Sequence, residues 1–359
     1  MPSPAKKARA KAADDQEVPT EWRAAGDGVE VTIDEKDLPE AAPELFLLAS
    51  ELAEDPETGD DAAVSQKLLE TAVDRFRAAQ AKGCVSPSYL YYFGQCLVTL
   101  ASQVLVADLV TEALDILTKA VDAIGAAAGK KPSAELGAAP PASKSDVLAA
   151  LAQAYVEKAR VDFVLTADEL DDDEANAKLL GTLAEATAHH TAALGATDGA
   201  AEQLERLLAF SRALLHLAQG ALDDVAESQS AVIEMAIGVA KEGLALDPKA
   251  RAALAQQAAC LVAQAKCDGA QDGDAEVPLL EQAVVALKSS LGSDDSDEEA
   301  DVLQMLAQAQ IQLGQIHPDD DKAETLFGEG VECYKKAATL QPHNRKLKQL
   351  VLMIEKGTA

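Results

Sequence analysis

Aromatic residues are scarce in this chain: six Phe, five Tyr and one Trp among 359 residues. A core of stacked large rings is therefore not on offer. The apolar content, 48% of the residues, comes largely from alanine and aliphatic side chains. Small side chains let helices approach closely, and alanine is the best helix former. Long hydrophobic runs are missing as well. None reaches the length of about 18 residues that a membrane span needs. The opening MPSPAKKARAKAADDQ is basic and then acidic, without the apolar stretch of a secretory signal. Basic residues are in deficit, with 31 Lys and Arg against 61 Asp and Glu and a net charge of -30. That balance repels bare nucleic acid, whose recognition rests on cations at phosphates. It is compatible with basic protein partners such as histones, and it also serves solubility. The five cysteines (Cys84, Cys96, Cys260, Cys267 and Cys333) are odd in number and irregular in spacing. They form no disulfide framework and fit a reducing compartment. Cys260 and Cys267 fall about 10 Å apart along one predicted helix, too far to share a bridge or a zinc ion.

What is present is a repeat. Ala72, Phe76 and Ala79 have the spacing of the second helix of a tetratricopeptide (TPR) unit. Leu90, Phe93, Gly94 and Leu97 have that of the first helix of the next unit, and the two sets share the 34-residue register without a gap. Ala236, Ala240, Gly243 and Pro248 followed by Leu254, Ala258 and Leu261 give a second gapless junction. Ser86 and Pro87 read as N-cap and first helical residue. Ser296 to Glu299 has the form of a capping box. HNRKLKQLVLMIEK at the end reads as a terminal capping helix. Helix pairs of this kind bury their apolar faces only against neighbours. The expected fold is all-α: a TPR-like α-solenoid of five to seven helix pairs over residues 43–357. A disordered basic and acidic arm, residues 1–42, precedes it, with one short extended segment in VEVTI. A linker loop is expected at about 125–144 and an acidic loop at 267–278. The repeat phase of residues 165–230 is not fixed by the pattern.

Catalytic motifs do not survive inspection, and no enzyme, cofactor or metal site is expected. GAAAGKK at 125–131 has three residues between its glycines where a phosphate loop has four, and lacks a following Ser or Thr. The acidic run from Asp272 lacks the Gly and the final Glu of a calcium loop. His189 and His190 diverge on a helix, and His216 reads as a core histidine. Binding positions are open to a simple check. The Lys and Asn carboxylate clamp of chaperone-tail binders is replaced by Tyr91 and Gln95, then Ala149 and Gln153, then Ala255 and Ala259. Tyr89, Tyr92 and Phe93 share a core-facing side, which leaves Tyr91 for exposure. Tyr91, Gln95 and Gln153 are the candidate partner-binding residues. Lys6, Lys7, Arg9 and Lys11 form a minimal basic import patch.

The basic arm, the acidic stretch with VEVTI, ELFLLASELAED, LLETAVDRF and the Tyr-rich SYLYYFGQCLVTLAS together resemble the fungal enhancer of translation termination family over nearly the whole chain. That family includes a nuclear negative regulator of a 2-oxoglutarate-dependent oxygenase. The resemblance implies an all-helical, non-enzymatic adaptor, nuclear and also cytoplasmic. It implies as protein partners an oxygenase acting on the translation machinery and an import receptor, without direct nucleic-acid or membrane binding. No binding residue of the family maps onto this chain. YYFGQCL is similar also to the first repeat of nuclear TPR histone chaperones, which implies H3–H4 binding as the alternative. ASQVLVADLVTEAL stands here where those chaperones carry a long acidic insertion.

Overall fold

The computed structural model describes residues 38–53, 61–126, 137, 139–166, 172–222, 225–269, 273–292 and 297–355. Most of the expected arm, the VEVTI segment, the import patch and Ser296 lie outside the described residues. Thirteen α-helices and no strand are found among those described. The chain divides into two compact units, Met1–Ala196 and Thr197–Ala359.

The first unit contains α1 (Ala42–Ala53), α2 (Asp61–Ala81), α3 (Pro87–Val104), α4 (Ala107–Ala126), α5 (Lys144–Thr166) and α6 (Asp172–Gly195). They pair as three hairpins, α1 with α2, α3 with α4 and α5 with α6. First helices also touch the first helices of the next hairpin, α1 to α3 and α3 to α5, as stacked TPR units do. The junction read from sequence is the centre of this core. Phe76 and Phe93 are fully buried and stack with ring centroids 5.1 Å apart, and Tyr89 meets Phe76 edge-on at 5.0 Å. Burying each ring stabilises by roughly 1.5–3 kcal/mol, and each ring pair adds about 0.5–1.5 kcal/mol. Alanines at full burial (Ala72, Ala113, Ala120 and Ala154) let the surrounding helices close in.

Local signals set the helix ends. Ser86 caps α3, its hydroxyl accepting from the Tyr89 N–H, and Pro87 opens the helix. Leu105 ends α3 in the left-handed region, at φ 53°, with its N–H on the Ala101 carbonyl. α4 then begins at Ala107. Arg75 donates to the Pro39 carbonyl and ties the lead-in of α1 to α2. The far end of the expected linker is not a free spacer. Ala139 is buried, the Tyr92 hydroxyl donates to the Pro140 carbonyl at 2.9 Å, and the Ala142 N–H donates to Ser88 Oγ at 2.9 Å.

The second unit holds α7 (Ala200–Ala221), α8 (Ala226–Leu246), α9 (Arg251–Gly269), α10 (Gly273–Ser290), α11 (Asp297–Ile316), α12 (Asp320–Leu340) and α13 (Arg345–Glu355). Its hairpins are α7 with α8, α9 with α10 and α11 with α12, and α13 packs on α12. The acidic loop expected at 267–278 is a correction. α9 runs through buried Cys267 to Gly269, and α10 starts at Gly273 with Pro278 inside it. Burial of Leu280 and Ala283 outweighs the one main-chain bond that Pro278 forgoes. Glu299, at the start of α11, has partners besides the expected capping box, whose Ser296 lies outside the described residues. Its carboxylate, 2% exposed, takes the Arg251 guanidinium at 2.6 Å and the Gly292 N–H at 3.0 Å, linking α9 and α11 to the turn after α10. His216 is exposed rather than in the core, because α7 turns Leu214, Leu215 and Leu217 inward and leaves that position to solvent.

Candidate functional site

On α3, Tyr91 and Gln95 are one turn apart and therefore share a face. Both are half-buried. Tyr91 rests edge-on against Tyr92, with centroids 5.0 Å apart, while Tyr92 and Tyr89 are buried beneath it. The sequence reading sets Tyr91 apart from Tyr89, Tyr92 and Phe93 and leaves it for exposure, whereas here it is half-buried and packs on Tyr92. α5 packs beside α3, and its Gln153, also half-buried, holds the repeat position that Gln95 holds on α3. Ala149 sits one turn before it, so the wall of α5 is low there.

Further along the same pair of helices, Glu157 and Arg160 form an ion pair at 2.6 Å with side chains 12% and 17% exposed. Arg160 Nη2 also donates to the Ser102 carbonyl of α3 at 2.8 Å. The pair is internally neutral and closes the seam between α3 and α5. This face of the first unit offers an aromatic ring, two carboxamides and the half-buried hydroxyl residue Thr99, and Asp146, two turns before Gln153 on α5, brings a negative charge close to Tyr92. A carboxamide both donates and accepts, so Gln95 and Gln153 suit the main chain of a bound segment. Sequence reasoning missed Arg160 and Glu157, whose partner carbonyl is 58 residues away and gives no local signal.

Chemistry elsewhere is muted. The described residues contain no group of three His, Cys, Asp or Glu placed to hold a metal ion. His189 stacks on Tyr155 at 5.3 Å, and burial lowers its pKa, whereas His190 is buried on another side of α6. All five cysteines are free thiols. Burial pushes the Cys96, Cys260 and Cys333 thiols up, away from the reactive thiolate. Cys260 and Cys267 face different partners: Cys260 lies against Ser211 and Gln256, and Cys267 against the Ala226 carbonyl. No helix among the described residues is long and apolar enough to cross a membrane.

These hairpins and this face define the class: an all-α protein of stacked TPR-like helix pairs. No protein-family model matches the chain, and no curated protein matches it. Among solved structures it is similar to the S. pombe nuclear import adaptor Nro1, at 16% identity and TM-score 0.44, over 91% of this chain and 98% of that one. A second structure of Nro1, described as a hypoxic regulator of sterol synthesis and nuclear import adaptor, overlaps at 17% identity and TM-score 0.40, over 87% and 92%. A putative kinesin light chain from Podospora anserina with nearly identical TPR-like repeats overlaps at 17% identity and TM-score 0.32, over 72% and 98%. Overlaps of this size assign no function to the chain.

Proposed function

We propose that the protein is a non-enzymatic adaptor that holds a protein partner on the α3–α5 face of its first unit. Tyr91 is the apolar anchor, and Gln95 and Gln153 hydrogen-bond the partner's main chain. The observation that carries this reading is half-buried Tyr91 beside two carboxamides, Gln95 and Gln153, at corresponding positions of the neighbouring helices α3 and α5. Tyrosine is favoured at binding hot spots. The sequence resemblance to the enhancer of translation termination family supplies the finer reading. The partner is then an oxygenase acting on the translation machinery, the setting is the nucleus, and Lys6, Lys7, Arg9 and Lys11 engage an import receptor. A histone chaperone instead binds through charge, which salt screens.

The test is affinity capture followed by mass spectrometry, at low salt and at about 0.5 M, where the screening length is only a few ångströms. The expected result is a partner retained at high salt by the wild type and lost from the Tyr91→Ala, Gln95→Ala, Gln153→Ala triple variant with its helicity intact. Bulk recovery of histones H3 and H4 at low salt, released at high salt and indifferent to the triple variant, would overturn the proposal.

A further inference from the structure

Ala72, Ala113, Ala236, Ala283 and Gly330 are the corresponding buried small residues of the second helices α2, α4, α8, α10 and α12. Two residues further on, four of these helices carry Asp74, Asp115, Gly238 and Glu332, all exposed. In α10 the same outward position is Val285, which is 65% exposed. A valine left so far in solvent contributes little to the core of the second unit.

Val285 is a ridge with an open groove on each side. One groove, of about 480 Å³, is lined by α9 and α10, with Leu254, Leu261 and Ala286 in its walls. The other, of about 430 Å³, lies between α10 and α12, with Val284, Leu313 of α11 and Leu326 in its walls. Glu281, one turn before Val285, lines both grooves. Lys288 follows Val285 by nearly a turn, and its Nζ donates to Glu329 of α12 at 2.9 Å. Both partners of that pair are about half in solvent, so it holds the lysine only weakly. Glu281, Val285 and Lys288 share one face of α10.

We infer that α10 is the contact by which two copies of this chain associate, their α10 helices antiparallel across a two-fold axis near Val285. A symmetric contact needs a projection and a recess side by side on one surface, since each copy must supply both. Val285 and the grooves beside it meet that requirement, by the packing of ridges into grooves. Charge meets it too. The antiparallel arrangement sets Glu281 of one copy, four residues before the axis, against Lys288 of the other, three residues after it. The acid–base pair then forms twice. A parallel pair of helices, or a partner of a single charge sign, would set Glu281 or Lys288 against its own sign. The net charge of -30 on each copy opposes association, so the dimer tightens as salt screens that repulsion. This surface belongs to the second unit and does not depend on Tyr91.

Sedimentation velocity of the full chain over a range of concentrations, in about 0.3 M sodium chloride where the screening length is below about 6 Å, should show a monomer–dimer equilibrium. Val285→Asp installs the residue that α2 and α4 carry at this position. It should weaken the dimer about tenfold or more, with the helical spectrum unchanged. Glu281→Lys alone and Lys288→Glu alone should each weaken it. An equal mixture of these two variants should restore it, because only the mixed pair matches charges at both ends. Val285→Cys should give a disulfide-linked dimer on mild oxidation, which the wild type with its five free thiols should not. A wild type that stays monomeric, a dimer indifferent to Val285→Asp, or a mixture no better associated than either variant overturns the proposal. So does a monomeric wild type that binds an amphipathic leucine–lysine peptide through Val285, which assigns the ridge to a basic segment of another protein.

Discussion

A glycine inside a helix costs about 1 kcal/mol relative to alanine, yet Gly94 and Gly330 sit within α3 and α12. Packing explains both. A Cβ on Gly94 would stand 2.6 Å from Leu117 Cδ2, and one on Gly330 would stand 2.9 Å from the Ala307 carbonyl oxygen. The second obstacle is main chain and cannot rotate away. Gly330→Ala should therefore destabilise by about 1–3 kcal/mol in urea unfolding, with Gly94→Ala in the same direction. A stabilised variant would show that propensity outweighs contact. Gly94 was legible as a repeat position. The buried Ser211 was not. Its hydroxyl donates to the Ala236 carbonyl at 2.9 Å and accepts from Gln256 Nε2 at 3.2 Å, a link among α7, α8 and α9 that no spacing announces.

Among the elements, the turn from α3 to α4 is the most strained of those described. Leu105 is the only described non-glycine residue with positive φ. The left-handed conformation costs a side-chain-bearing residue roughly 1–2 kcal/mol, and helices commonly end on glycine at such a point. Leu105 is 38% exposed, so little packing is forfeited on its removal. Leu105→Gly should raise stability by about 1 kcal/mol, after allowance for the greater freedom of glycine in the unfolded chain. An unchanged or lowered unfolding midpoint would refute this. Caps were the best-read part of the elements, since Ser86 and Pro87 act through atoms three residues away. The start of α10 was misread, because glycine and acid content resembles a loop until the burial of Leu280 and Ala283 is known.

For the whole molecule, charge is the dominant long-range term. With 61 acids and 31 bases, self-repulsion works against the compact state. Adding sodium chloride to about 0.3 M, where the screening length falls below about 6 Å, should raise the thermal midpoint. A flat or falling midpoint would mean that short ion pairs such as Arg251–Glu299 at 2.6 Å outweigh the net repulsion.

The amino-acid sequence alone determined that the chain is helical, that it repeats in TPR-like pairs and that Phe76 meets Phe93, because these follow from periodicities of three to four residues and a fixed register. Tertiary structure decided the rest. It divided the chain into two compact units, closed the α3–α5 seam with Arg160 and drew Glu299 to Arg251. Each of these depends on groups brought together from distant parts of the chain, which local spacing does not encode.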